Sequence, residues 1–290
     1  MTWTFDPVAG PFSFTEGPVW DGGGVVFSDI PASRILRYDI ETGETAVHHE
    51  ETGHANGLTM GPDGLLYACG QRFGRVVRYE ADGSRTVVAD TFEGDSLNSP
   101  NDLTFDSDGG LWFTDPRYEQ GPVEQQPLEL DHRSVYRVDP DDPSTLTRVT
   151  HDTTNPNGLA FSPDGRTLYV AQTDYELGKP SELRAYPVSD GGLGEYEVLH
   201  DFGDAAGVDG MCLTEDGVIV AAAGSSHGGP GPSLYVFAPD GDVLERHPFP
   251  DRLPTNCAFG GDDRSTLYMT AGSGCLYRIE TDLVGLPVPP

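Results

Sequence analysis

Six polar residues recur along the chain with similar neighbours: Glu16, Asn56, Asn101, Asn157, Asp209 and Asn256, each followed by Gly, Asp or Cys and then by apolar residues. Two carboxylates and four amides, with no Lys or Arg among them, are an oxygen-only donor set of the kind that suits a hard divalent cation. Asn and Asp at the start of a strand also serve as ordinary turn formers, and Asn56 and Asn256 fit that use best. Glu16 fits it poorly, because Glu is a weak turn former and here stands where other copies carry a shorter side chain.

Chemistry of this kind needs elements that bring the six copies to one place. Their spacings are 40, 45, 56, 52 and 47 residues. Seven residues after five of them stand Asp63, Asp108, Asp164, Asp216 and Asp263, four followed by Gly; the first copy reaches Asp21-Gly22 after five. Around Asn157 the pattern reads as a short apolar strand over 159–161, an Asp164-Gly165 turn and a second strand over 168–171, which is a β-hairpin. Each unit continues with further strand signals, such as 34–40 and 45–49 in the first and 76–80 and 86–89 in the second. Repeats of this period built from strands alone are propeller blades. The sixth unit lacks one strand before the chain ends in Leu-Pro-Val-Pro-Pro, and the strand-like segment 3–8 is the one left to supply it.

The sequence therefore predicts an all-β six-bladed β-propeller with four-stranded blades, its ring closed by the N-terminal strand joining the last blade. Blades that cannot bury their faces separately imply one domain over 1–290. Because the first strand of each blade lines the central channel, the six polar residues form a ring around one mouth.

Composition narrows the partners. The formal net charge is −30, with 17 basic residues of which only Lys179 is a lysine, so phosphate backbones are repelled and nucleic acid is not an expected partner. Abundant carboxylates with almost no Lys predict a salt-adapted, halophilic surface. No run approaches eighteen apolar residues and the first residues lack a basic-then-apolar leader, which predicts a cytoplasmic protein without membrane contact. Cys69, Cys212, Cys257 and Cys275 show no C-x-x-C spacing and read as buried free thiols rather than a zinc site. An exposed outer strand leaves open a monomer or a weak homo-oligomer.

Six further pieces, in order and at blade spacing, carry a family resemblance: Thr15-Glu16-Gly17-Pro18-Val19-Trp20, Ser99-Pro100-Asn101-Asp102-Leu103, Trp112-Phe113-Thr114-Asp115-Pro116-Arg117-Tyr118, Pro156-Asn157-Gly158-Leu159-Ala160-Phe161, Val208-Asp209-Gly210-Met211 and Pro254-Thr255-Asn256. The chain resembles the gluconolactonase, regucalcin and senescence marker protein family of six-bladed propellers, over nearly its whole length. That resemblance implies one divalent metal ion, calcium first and zinc, manganese, magnesium or iron as alternatives, held by Glu16, Asn157 and Asp209. It implies Asn101 as a weaker ligand or substrate contact, Asp209 as acid/base, and a small sugar lactone as substrate. Asn56, Asp115 and Tyr118 are further substrate-binding candidates; for the last two, a turn-capping Asp and a packed Tyr are equal alternatives. Some relatives carry an Arg two residues before the equivalent of Asn101; here that position is Ser99, which favours the bacterial lactonase pattern.

The expected reaction is metal-assisted hydrolysis of a sugar lactone. An organophosphate or other ester is the alternative substrate, and a non-catalytic binding propeller the alternative class. A Gly-x-Ser-x-Gly pattern at Gly224, Ser226 and Gly228 mimics a serine-hydrolase elbow, but the Gly-Pro-rich residues after it cannot start the helix that an elbow requires. The long 224–232 stretch reshapes the mouth, with His227 as a residue that could reach substrate.

Overall fold

A computed structural model describes residues 3–119, 121–174, 179–189, 192–226 and 229–287. Among the described residues six antiparallel sheets of four or more strands follow one another along the chain. Blade one runs Thr15–Trp20, Gly24–Asp29, Arg34–Asp39 and Thr45–Glu50, and blade two Ala55–Met60, Leu66–Gly70, Arg75–Tyr79 and Arg85–Ala89. Blade three comprises Leu103–Phe105, Leu111–Asp115, Ser134–Val138 and Leu146–Arg148, and blade four Pro156–Phe161, Thr167–Thr173, Ser181–Ser189 and Glu197–Asp201, with the short strand Gly192–Leu193 added to its third. Blade five is Val208–Leu213, Ile219–Ala223, Ser233–Phe237 and Val243–Pro248. Blade six takes Pro254–Gly260, Thr266–Ala271 and Leu276–Glu280 from the C-terminal end and Asp6–Ala9 from the N-terminal end. This is the six-bladed propeller with four-stranded blades that the repeats predict.

The second strand of each blade explains why a ring forms. Gly24–Asp29, Leu66–Gly70, Leu111–Asp115 and Ile219–Ala223 are buried along their whole length. Successive side chains of a strand point to opposite faces, so a strand buried throughout needs a neighbour on each side. Val25 and Phe27 pack towards blade six, whereas Val26 packs towards blade two. Six apolar clusters result, one between each pair of adjacent blades.

Ring closure follows the expected route with a shifted boundary. Asp6 pairs with Arg278, Pro7 with Tyr277 and Ala9 with Leu276, so the outer strand covers Asp6–Ala9 rather than 3–8. The aromatic residues ahead of it pack sideways instead of pairing: Trp3 stacks on His247 of blade five at 4.2 Å and Phe5 meets Phe249 edge-on at 5.3 Å. Large apolar rings gain more from the gap between blades five and six than from an exposed sheet edge. Two features have no forerunner in the repeat pattern: a hairpin of Thr91–Phe92 with Asp95–Ser96, and a long excursion over 116–133. Among the described residues no helix is long and apolar enough to cross a membrane.

Candidate functional site at the channel mouth

The polar positions fall at or beside an irregularity that five inner strands share. Ladder register shifts between Glu16 and Val19, Ala55 and Leu58, Pro156 and Leu159, Val208 and Met211, and Pro254 and Cys257. An extra residue in one strand leaves the ladder and bends the chain, which re-aims the side chains beside it. The residue after the ring position is Gly in four blades because the next blade presses against it. A Cβ on Gly57 would lie 2.5 Å from the Asn101 carbonyl oxygen, and one on Gly158 2.5 Å from that of Asp209. The Gly57 N–H uses this closeness to donate to the Asn101 carbonyl at 2.8 Å.

The loop leading to the ring is anchored by one recurring device. In blade one Asp29 Oδ1 accepts the N–H groups of Ser13 and Phe14; in blade three Asp115 accepts those of Asn98 and Ser99; in blade four Gln172 Oε1 accepts those of Thr154 and Asn155. The anchored amides stand three and two residues before Glu16, Asn101 and Asn157 in each case. The loop entering blade two is held from blade one, where the Ser33 hydroxyl receives Gly53 and His54 N–H in the same relation to Asn56. Asp115 is fully buried, and both of its oxygens accept backbone N–H groups of the turn that leads to Asn101. Tyr118 is half-buried; its hydroxyl donates to the Thr173 carbonyl at 3.0 Å and ties the 116–133 excursion to blade four.

Glu16, Asn56, Asn101, Asn157 and Asn256 are buried, and Asp209 keeps a partly accessible edge. A third carboxylate stands with them that the sequence did not single out. Asp102 is buried, receives its neighbour Leu103 N–H at 2.9 Å, and faces Asn256, whose Nδ2 lies 3.4 Å from Asp102 Oδ2 across 154 positions of chain. The signal for it lay in the position after the ring residue, which is Asp only in blade three.

Electrostatics set these carboxylates apart from the surface ones. Burial, then repulsion from Asp209 and Asp102, holds Glu16 well above the ordinary carboxylate range, although the Gly17 N–H at 2.6 Å and Asn256 oppose the shift. Burial pushes Asp209 up to about 7, with the Asn157 amide opposing and Asp102 adding repulsion. Burial likewise moves Asp102 to about 6, against hydrogen bonds from Leu103, Asn256 and Leu159. Three acids in one low-dielectric mouth cannot all be ionised cheaply without a counter-charge.

That requirement, and the donor chemistry, fit a divalent cation. The available atoms are carboxylate and amide oxygens, and the Asn56 Oδ1 is buried with no hydrogen-bond partner, an acceptor to which no protein group donates. Among the described residues no group of three or more His, Cys, Asp or Glu side chains is arranged to hold a metal, so an ion at the mouth requires amide ligands beside Glu16 and Asp209.

The Gly-x-Ser-x-Gly stretch has no elbow context among the described residues: it follows the strand Ile219–Ala223, and none of the described residues between that strand and Ser233–Phe237 is helical. His227 and Gly228 lie outside the described residues.

Comparison with known proteins bears on the fold and the family. The chain is 30% identical to a gluconolactonase of Zymomonas mobilis, over 96% of this chain and 81% of the relative. It is 29% identical to the diisopropyl-fluorophosphatase of Loligo vulgaris, over 91% and 88% of the two chains. A solved gluconolactonase from Xanthomonas campestris superimposes with a TM-score of 0.83 at 33% identity, covering 96% of this chain and 88% of that one. The family profile described as the SMP-30/Gluconolactonase/LRE-like region matches residues 14–273. With a propeller of this build and that match over most of its length, the chain belongs to the SMP-30/gluconolactonase/LRE-like family.

Proposed function

We propose that the chain is a metal-dependent hydrolase that opens a sugar lactone to the aldonic acid. The observation that carries the reading is the convergence of Glu16, Asp209 and Asp102 with amide oxygens at one channel mouth, in a chain whose relatives include a gluconolactonase. Glu16, Asn157 and Asp209 would hold the cation, calcium by preference since every donor is an oxygen. When bound, such an ion supplies Lewis acidity at the lactone carbonyl and charge for the developing oxyanion.

The chain's own groups do the rest. Asp209, the one of the six ring residues that is only partly buried, takes the proton of the attacking water as its oxygen bonds to the carbonyl carbon, and returns a proton to the ring oxygen as the ester bond breaks. Asn101 and Asn56 line the substrate side, the free Asn56 Oδ1 accepting from a sugar hydroxyl. Asp115 and Tyr118 hold the wall of the mouth. A second reading, hydrolysis of an organophosphate, rests on the fluorophosphatase relative and uses the same residues. A purely structural propeller is disfavoured, because it gains nothing from burying three acids together.

The test is acid release from gluconolactone and pentonolactones during a titration with each divalent cation. Asp209→Asn keeps a ligand oxygen but cannot take a proton, so turnover should fall about a hundredfold to ten-thousandfold at saturating metal. Glu16→Gln should lose mainly metal affinity and recover with added cation. Equal rescue of both variants would make Asp209 a ligand only; no acid release with any cation would end the lactonase reading.

A further inference from the structure

Cys212 and Cys257 lie in the inner strands of blades five and six, three residues past Asp209 and one past Asn256. Their sulfurs are 3.5 Å apart, in van der Waals contact, inside the apolar cluster that joins the two blades. Among the described residues no other cysteine pair is in sulfur contact: Cys69 is fully buried in blade two, and Cys275 sits beyond the inner strand of blade six. The geometry points to a modification site at this pair, a reversible disulfide that staples blade five to blade six beneath the channel mouth.

The chemistry balances with a hydroperoxide as oxidant. Cys212, the partly exposed member, loses a proton and its sulfur attacks one peroxide oxygen; the O–O bond breaks, giving a sulfenic acid and water. The Cys257 sulfur then attacks the Cys212 sulfur, the S–O bond breaks and a second water leaves. Two thiols and one hydrogen peroxide thus become one disulfide and two waters. The Cys257 thiol now points at the Val220 carbonyl, 3.3 Å away, so a small rotation redirects it to Cys212. Closing the bond moves the sulfurs together by about 1.5 Å. A second thiol already in contact captures the sulfenic acid before further oxidation. Burial and the neighbouring Cys257 raise the Cys212 thiol well above its ordinary value, so the first step is slow compared with an exposed cysteine.

The staple would act where the two inner strands carry Asp209 and Asn256. Cys257 N–H already donates to its neighbour Asn256 Oδ1 at 2.8 Å, and the bond would fix that backbone to blade five. It would close a loop of about 46 residues, which by chain entropy raises the melting temperature of a chain this long by about 7 °C.

The experiment incubates the full chain with millimolar hydrogen peroxide for several hours, removes the oxidant, and counts thiols after denaturation alongside peptide mass mapping and a melt. The expected result is loss of two thiols of four, a mass lower by two hydrogens, a linked Cys212–Cys257 peptide, a higher melting temperature, and full reversal by dithiothreitol. Cys257→Ser should leave Cys212 oxygenated without a crosslink; Cys212→Ala, at the less buried sulfur, should leave the remaining thiols unreacted. Four thiols persisting, oxygen added to Cys212 without a crosslink in the unaltered chain, or a bridge to Cys69 or Cys275 would each overturn the assignment. A linked peptide with an unchanged melt would overturn the stapling effect.

Discussion

Metal-free protein should lose stability as pH rises, and Asp209→Asn should remove part of that loss. Asp209 moves from 3.8 to about 7 on folding, through burial first and Asp102 as the repelling neighbour. Between those values the folded chain keeps a proton that the unfolded chain has released, so stability is fullest at the acid end and is lost as pH climbs through the folded-state value. At about 1.36 kcal/mol per pH unit the whole span is worth about 4 kcal/mol, of which about 3 kcal/mol falls between pH 5 and 8. For a chain of 290 residues, that is about 5 °C in melting temperature. Melts in chelator at fixed ionic strength, from pH 5 to 8, should therefore descend for the native chain and descend less steeply for Asp209→Asn. Self-repulsion of the −30 surface also grows with pH, but the variant shares nearly all of it, so the difference between slopes reports the buried acid together with the relief of its neighbour Glu16. Saturating divalent cation should reverse the order, since the ionised native carboxylate is then the better ligand. Parallel slopes in chelator, or a native melt that rises with pH, would refute the claim that the mouth holds a carboxylate at the expense of stability.

Deleting residues 1–9 removes the strand Asp6–Ala9 and the stacked Trp3, exposing the Leu276–Glu280 edge and the cleft beside His247; the denaturation midpoint should fall by the equivalent of about 5 kcal/mol, and an unchanged midpoint would contradict the closure. Asp115→Asn replaces an acceptor by a donor opposite two buried N–H groups and should cost about 3 kcal/mol by chemical denaturation; a change below 1 kcal/mol would mean that the 98–102 turn holds without it. Gly158→Ala sets a methyl 2.5 Å from the Asp209 carbonyl oxygen and 2.8 Å from the Gly210 Cα, both backbone, so stability should drop by about 2 kcal/mol and lactone turnover with it. Wild-type melting and turnover in that variant would show that the inner strands are not pressed together as described.

Much of the molecule was legible because its rules are local. Asp-Gly turns, apolar runs of strand length and a polar residue ahead of each run are read within ten residues, and their recurrence at blade spacing yields the ring. The missing outer strand could be assigned to the N-terminal end by counting alone, and the structure pairs it with blade six. Which side chains meet at the axis is another matter. Asp102 joins Glu16 and Asp209 through an Asn256 partner 154 positions away, and Asp115 holds the two amides ahead of Asn101. The sulfur contact of Cys212 with Cys257 and the stacking of Trp3 on His247 likewise join different blades. Residue type and period determine which positions lie on a blade's inner strand, because alternation and turn chemistry act along the chain. Only closure of the ring decides which neighbour each one faces, because strand irregularities re-aim side chains and the facing blade alone sets what they touch.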